Sequence, residues 1–330
     1  MNPRLFRYST GLFAPLLSNG PKLGFAGGAT ANYLNQFDVG SPISMTGAQA
    51  KYSNTGSWTA ALYNRSYWDD NTKRFLGAIV QAKARNDYNN YLGGGPASVD
   101  THLQLYYARY QQRIGDLPWY VGGSYVYSNI DPQAADDAAN FIMTRYDIGN
   151  VYNGGLGLNV TYDTRNNVMN PKSGMHLEFA ITSYNKAFAG DYDYWAYNAQ
   201  ASYFQLVSSK LTIAYNASWL ATPDAPSSSQ ATLRRYRGYT TGENSAENSL
   251  VTQVEARYAF RPRWEAAVFG GVASLFDGDH KIGDQGNWYP MGGVGVRYVL
   301  DPKSQSLLRM DYAMGKSGNS GLYLAMGQPF

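Results

Sequence analysis

The sequence predicts an all-β protein, a transmembrane antiparallel β-barrel of sixteen strands. Apolar and polar residues alternate with a period of two through most of the 330 residues, as they do in strands with one apolar and one polar face. The alternating segments run about 11–15 residues, whereas strands of soluble proteins average about 5–6 and a tilted membrane-spanning strand needs about 9–11. The 29 tyrosines and 7 tryptophans gather near the segment ends, which is typical of the aromatic girdles of membrane barrels.

Composition excludes several other classes of protein. The net charge is +3 and only 15% of the residues are charged, which argues against a nucleic-acid partner and against an acidic tail. The chain has no cysteine and three histidines, so we expect no disulfide scaffold, no thiolate nucleophile, no metal site and no cofactor. The mean hydropathy is −0.41 and no apolar run is long enough for a spanning helix, which excludes a helical membrane protein.

Sixteen segments show the strand pattern, and an even number is what a single-chain bacterial barrel needs. They cover approximately residues 4–18, 22–35, 42–53, 57–68, 73–87, 99–113, 118–129, 153–165, 174–186, 191–206, 208–221, 248–260, 262–276, 289–300, 304–315 and 320–330. The long connections are 130–152, 222–247 and 277–288. No linker, composition shift or internal repeat marks a second domain, so we expect one barrel domain over residues 1–330.

The segment 248–260 shows why the polar face is assigned to a wet lumen. Leu250 and Tyr258 share its apolar face, while Glu255 and Arg257 share the other face. A closed soluble sandwich does not place full charges against its core, because an unpaired buried charge is very costly. A membrane barrel places such residues towards its water-filled interior.

The last ten residues indicate the cellular compartment. Leu324, Met326 and Phe330 have the same parity in the predicted final strand, and the chain ends in an aromatic residue. Aromatic carboxyl termini are typical of bacterial outer-membrane barrels, so these residues are predicted to form a closing strand that also serves as the assembly signal. The predicted localisation is the bacterial outer membrane.

Four short motifs occur in the order found in a known family. They are Tyr162-Asp163-Thr164-Arg165-Asn166-Asn167 with Asn170-Pro171-Lys172-Ser173-Gly174; Leu233-Arg234-Arg235-Tyr236-Arg237-Gly238-Tyr239; Glu255-Ala256-Arg257-Tyr258; and Gly293-Val294-Gly295-Val296-Arg297-Tyr298 with Leu308-Arg309-Met310-Asp311-Tyr312. They resemble the strand-turn motif, the [VL]RG[FY] loop, the E-x-R-Y strand and the C-terminal strand pair of the bacterial surface antigen family. That family forms the barrel of the outer-membrane assembly and two-partner-secretion superfamily, which includes the BAM-complex insertase.

The resemblance implies that the sixth extracellular loop, 222–247, folds back into the lumen. In that loop Arg237 would dock on the lumen wall, Gly238 would allow a close approach, and Tyr239 would pack beside them. A guanidinium group is suited to such a role because its planar fork of donors fits a fixed carboxylate.

The carboxylate partner of the loop arginine differs from the family pattern, since Gly271 occupies the position of the usual acid. Glu255, Glu265 and Asp311 lie on the lumen side of the alternation and are the candidates to replace it. The charged residues expected to line the lumen as mutual ion pairs, and to set ion selectivity, are Glu255, Arg257, Glu265, Arg297, Arg309 and Asp311. In the strand-turn motif, formed by Asp163, Arg165, Pro171 and Gly174, the first two are expected to pair.

Two classes of function remain open. The first is a barrel that translocates or inserts proteins, including a fused passenger, through its lumen and through a weak lateral seam between the first and last strands. The second is a passive diffusion channel, or porin, or a surface-exposed structural barrel with an inert seam. The inward loop favours the first class. An enzyme is not expected, because His102, His176 and His280 fall in unrelated segments and form no catalytic pair with an acid or a serine.

The resemblance also implies partners. These are outer-membrane lipid, an unfolded or passenger protein as substrate, and the BAM machinery for the assembly of this barrel; no nucleic acid is expected, and a homo-oligomer is left open. The family normally carries periplasmic POTRA repeats before the barrel, for which the sequence ahead of the first predicted strand has no room. Either the barrel belongs to a longer protein or it represents a branch without the repeats.

Overall fold

The computed structural model describes residues 8–20, 24–88, 94–146, 148–239, 244–284 and 286–330. Sixteen antiparallel strands close into a barrel, which confirms the predicted fold class. Numbered in chain order together with a short pair in the loop, the barrel strands are β1 Ser9–Gly20, β2 Gly24–Asn35, β3 Ser44–Ser53, β4 Trp58–Trp68, β5 Lys73–Tyr88, β6 Ala97–Arg113, β7 Trp119–Ala134, β8 Val151–Asp163, β9 Gly174–Tyr184, β10 Tyr194–Leu206, β11 Leu211–Ala221, β14 Asn248–Arg261, β15 Trp264–Phe276, β16 Trp288–Asp301, β17 Ser306–Gly315 and β18 Ser320–Met326.

Each strand pairs with its neighbour in sequence, and β1 pairs with β18 to close the barrel. The β11 strand pairs with β14 across the loop 222–247, which contains two short paired strands, β12 Ala231–Thr232 and β13 Ser245–Ala246. The barrel has an even number of antiparallel strands, so β1 begins and β18 ends at the same end of the barrel. We call this the terminal end. The loop 222–247 lies at the opposite end, which we call the loop end.

Alternation places apolar side chains outside and polar ones inside, as predicted from the period of two. On β15, Val268 is 57% exposed on the outer face, while Glu265 is buried on the inner face, where the apolar Phe269 is an exception. On β14, Val254 and Tyr258 are exposed outside, and Glu255 between them is fully buried. The outer face is therefore suited to lipid and the inner face to charged groups.

One helix lies where the sequence analysis placed only a loop. The α1 helix, Asp137–Arg145, follows β7 within the predicted connection 130–152. The Asp136 side chain caps it by accepting a hydrogen bond of 2.7 Å from the Ala139 backbone nitrogen. The helix was missed because nine residues carry too weak a periodicity to be distinguished from a loop. No helix among the described residues is long and apolar enough to span a membrane.

The prediction of a final strand over 320–330 is wrong at its end, since β18 stops at Met326. Gly327 has a φ of +86°, which turns the chain out of the sheet, and Pro329 has no backbone N–H to donate to a ladder. The tail 327–330 therefore folds into the barrel. Phe330 does not share a sheet face with Leu324; its ring lies inside, with its centroid 5.7 Å from the guanidinium carbon of Arg257.

The first strand also differs from its predicted bounds. It extends to Gly20, beyond the expected end at residue 18. The predicted residues 4–7 lie outside the described part of the chain, as does Gly242 next to the loop motif.

Candidate functional site

The candidate site is the inner wall formed by β14 to β17, where the loop 222–247 enters the lumen. The two-residue period aims alternate side chains of these strands inwards. The pairing register of the strands then sets the level of each side chain along the barrel axis. Gly295 on β16 lies opposite Asp311 on β17, and Arg297 lies opposite Arg309. Glycine at position 295 leaves room for the carboxylate, because an added Cβ would stand 2.1 Å from its Oδ1.

The loop is held in the lumen by an apolar cluster of its own. Leu233, Tyr236 and Tyr239 are buried against Phe269 and Met291 on the wall. The rings of the two tyrosines stack, with centroids 5.6 Å apart. Such aromatic burial stabilises the docked loop in addition to its ionic contacts.

Both tyrosine hydroxyl groups also bond to backbone groups of the wall. The Tyr236 hydroxyl donates to the Tyr289 carbonyl oxygen at 2.6 Å, and the Tyr239 hydroxyl donates to the Pro290 carbonyl oxygen at 2.7 Å. The Tyr239 hydroxyl also accepts from the Lys316 backbone nitrogen at 2.7 Å. Tyr239 thus joins the loop to β16 and to the turn after β17.

Gly238 brings the loop backbone against β17 and β18. Its φ is +83°, a conformation that other residues rarely adopt, and an added Cβ would lie 3.3 Å from the Gly315 nitrogen. Its backbone nitrogen donates to the Tyr323 hydroxyl at 3.0 Å. The position therefore favours glycine chiefly for its conformation, and the close approach of β17 leaves little room for a side chain.

Arg237 reaches two carboxylates at once. Its Nη1 donates to Glu255 Oε2 and to Asp311 Oδ2, each at 2.9 Å. Its guanidinium carbon lies 3.4 Å from the centroid of the Phe269 ring, within cation–π range. The loop arginine is thus placed between strands β14, β15 and β17.

Three further arginines share the same two acids. The guanidinium network consists of Arg237, Arg257, Arg297, Arg309, Glu255 and Asp311. Glu255 Oε1 accepts from Arg257 Nε and from Arg297 Nη2, each at 2.9 Å. Arg297 also bonds Asp311 Oδ1, and Arg309 bonds its Oδ2 at 2.8 Å. All four carboxylate oxygens are occupied, whereas four guanidinium groups compete for them.

Glu265 does not contact Arg237, although the sequence offered it as a partner. It pairs with Lys172 and accepts from Asn170 Nδ2 at 3.3 Å, so it anchors the turn 164–173 at the terminal end. The reason is that Glu265 and Glu255 lie at different levels along the barrel axis. Glu255 lies opposite Phe269, four residues from Glu265, which is about 13 Å at 3.3 Å per residue.

The strand-turn motif forms a second ionic group at the terminal end. Asp163 accepts from both Arg165 Nε and Arg165 Nη2 at 2.9 Å, and from Arg74 Nη1 on β5 at 2.8 Å. Gly174 has a φ of +99°, and an added Cβ would stand 2.2 Å from the Thr164 carbonyl oxygen. The turn beginning at Asp163 projects into the barrel, where Pro171 lines the lumen.

A cavity of about 840 Å³ lies between the docked loop and the terminal end. The loop bounds it on one side, and the turn 164–173 and the tail 327–330 bound it on the other. Within the described ranges, no group of three or more histidine, aspartate or glutamate residues is arranged to hold a metal ion.

Three site residues were missed by the sequence analysis: Phe269, Tyr236 and Tyr323. The alternation of β15 puts Phe269 on the inner face, and Tyr236 directly precedes the loop arginine, so both had a weak signal. Nothing in the sequence pairs Tyr323 with Gly238, because that contact depends on how deeply the loop enters.

Comparison with solved structures shows the same fold at low sequence identity. BamA from Haemophilus ducreyi lacking POTRA domains 1–3 matches with a TM-score of 0.57 and 12% identity over 97% of this chain and 70% of that chain. CdiB from Acinetobacter baumannii matches at 0.63 and 11%, over 96% of this chain and 59% of its own. CdiB from Escherichia coli matches at 0.64 and 11%, over 96% and 62% respectively.

This chain spans less than two thirds of the length of either CdiB structure. No protein-family model matches its sequence, and no curated protein matches it. The similarity therefore lies in the backbone fold. It is consistent with the four short motifs and with their order along the chain. The chain has the closed sixteen-strand fold of BamA and CdiB, the architecture of bacterial outer-membrane barrels.

Proposed function

We propose that this barrel translocates or inserts proteins in the bacterial outer membrane, through its lumen and through a lateral seam between β1 and β18. It acts on unfolded polypeptide without catalysing a chemical reaction. The short seam is the observation that carries the proposal. The resemblance to the assembly and two-partner-secretion superfamily supports it.

The seam is shorter than the other strand contacts of β1. Among the described residues, β1 and β18 pair through Leu17–Leu324, Ser18–Tyr323 and Asn19–Leu322 only. On its other side, β1 pairs with β2 along its entire length, from Ser9–Asn35 to Gly20–Gly24. Because the tail 327–330 turns into the lumen, the part of β1 nearest the terminal end has no β18 residues to pair with.

An unpaired strand edge inside a bilayer is costly, because no water satisfies its backbone groups. The same edge is a template for an incoming strand. Opening three residue pairs costs less than opening a full ladder, so the seam is the place where this barrel admits another polypeptide most easily. Pro15 lies in the part of β1 without a β18 partner and offers no N–H there.

A disulfide across the seam tests the proposal. The chain has no cysteine, so Asn19→Cys with Leu322→Cys introduces the only two thiols, at positions directly opposite each other. We expect oxidation to abolish the acceleration with which proteoliposomes of this protein fold an unfolded outer-membrane barrel, and reduction to restore it. The folding of the substrate is followed by its heat-dependent mobility in a gel.

The matched control keeps one of the two thiols. Tyr312→Cys with Leu322→Cys links β18 to β17 instead of β1, again at directly opposite positions. This link is expected to leave the activity unchanged. Equal activity of the oxidised and reduced seam variant would contradict a function of the seam.

Single-channel conductance separates this function from that of a diffusion channel. We expect small, flickering conductance with rare large openings in a planar bilayer, because the loop 222–247 and the tail 327–330 both occupy the lumen. A steady, large and uniform conductance would instead favour a porin.

A further inference from the structure

The cavity between the docked loop and the terminal end is lined by an excess of positive charge. Six arginines face it: Arg65, Arg74, Arg109, Arg165, Arg234 and Arg235. Four come from strands and the strand-turn motif, and two come from the loop that precedes Arg237. These side chains are separate from the guanidinium network and have no part in docking the loop.

Only three of the six arginines have a carboxylate partner among the described residues. Arg109 pairs with Glu178 at 2.7 Å, while Arg74 and Arg165 share Asp163. Arg65, Arg234 and Arg235 make no ion pair with any carboxylate in the described ranges. Three guanidinium groups therefore face the cavity without an ion-pair partner among the described residues.

The uncompensated charges act on one another. Burial within the barrel lowers the pKa of the Arg235 guanidinium, the charge of Arg65 lowers that pKa further, and Glu178 opposes the effect. An arginine does not lose its proton under physiological conditions, so the repulsion is not relieved by deprotonation. An anion placed between the side chains would relieve it.

The loop geometry keeps this cluster in place. Arg235 has a φ of +53°, and its carbonyl oxygen accepts from Gln253 Nε2 at 3.4 Å. On either side of it, Leu233 and Tyr236 are buried in the apolar cluster of the loop. The arginine is therefore presented from an anchored segment of backbone towards the strand arginines.

We propose that this cavity is a binding site for carboxylate groups on an extended, acidic segment of polypeptide. Its volume of about 840 Å³ is within the range of about 300–1,000 Å³ typical of ligand sites. Guanidinium groups bind carboxylates through charge-assisted, frequently bidentate hydrogen bonds. Neutral amides such as Gln49, Asn198 and Gln200 also line the cavity, and they match the backbone of an extended chain.

This inference rests on the proposed function, since it names the kind of segment that the barrel handles. The site selects acidic stretches and retains them by electrostatic attraction. Because the attraction is ionic, it weakens as salt concentration rises.

The test compares two peptides of the same length. Hexaglutamate and hexaglutamine are titrated by calorimetry into the refolded barrel in detergent, and citrate is titrated as a smaller carboxylate that needs less room. We expect hexaglutamate to bind at least about tenfold more tightly than hexaglutamine, and citrate to bind measurably, at low salt. The preference should disappear in the double variant Arg65→Gln with Arg235→Gln.

The control variant, Arg145→Gln with Lys210→Gln, removes two exposed charges outside the cavity and should keep the preference. Equal binding of the two peptides, failure of both hexaglutamate and citrate to bind, or an unchanged preference in the Arg65/Arg235 variant would overturn the inference. The seam disulfide tests a different property, the opening of the barrel between β1 and β18. Loss of the peptide preference with an active seam would refute this site alone, and an inert seam with the preference intact would refute the proposed function alone.

Discussion

Glu255→Ala is expected to lower the free energy of unfolding by about 3–5 kcal/mol, the usual cost of removing one member of a buried ion pair. Glu255 is fully buried and serves three arginines: Arg237, Arg257 and Arg297. Arg257 has no other carboxylate partner among the described residues. Without Glu255 it remains as a buried charge with no ion-pair partner among the described residues, and Glu265 acts on it only from a distance.

The measurement is urea unfolding of the barrel in lipid vesicles, followed by tryptophan fluorescence. Glu255→Gln should destabilise nearly as much, because it keeps the shape and loses the charge. Gln253→Ala is the control: it removes a buried, neutral, inward-facing side chain on the same strand and should cost only about 1–2 kcal/mol. A loss below that of the control would show that the network is not balanced by Glu255.

Arg237→Ala is expected to release the loop 222–247 while the barrel stays closed. The variant loses two charge-assisted hydrogen bonds and the contact with Phe269, which together hold the docked loop by about 2–3 kcal/mol. Glu255 and Asp311 keep their other arginines, so neither acid becomes an uncompensated charge. The unfolding temperature should fall by a few degrees, and protease should cut the loop faster.

The control is Arg234→Ala, three positions earlier in the same loop. Arg234 is exposed to the lumen and makes no ion pair with a carboxylate in the described part of the chain. It should leave both the unfolding temperature and the protease sensitivity of the loop unchanged. If the two variants behave alike, the loop is held by its apolar cluster and not by Arg237.

The strands were predictable from the sequence because alternation is a local property. Each barrel strand turns one side to the lumen and the other to lipid, so a two-residue period marks most of the sixteen, including β14 with Glu255 and Arg257 inside, while the first, fifth and tenth segments alternate irregularly. Glycine at position 174 was expected from the resemblance of the strand-turn motif to the family pattern. The helix Asp137–Arg145 was not, because a nine-residue element has too few turns to show a period.

By itself, the sequence determined the strand number and the inward or outward face of most strand residues, whereas the entry of the loop into the lumen was expected only from the family resemblance. Only the tertiary structure decided which acids meet Arg237. Glu255, Glu265 and Asp311 all point inwards. The pairing register of the strands sets their levels along the barrel axis, and it places Glu265 at a different level from the other two. The inward turn after Met326 was likewise decided by the fold, because Gly327 and Pro329 permit a departure from the sheet without specifying where the chain goes.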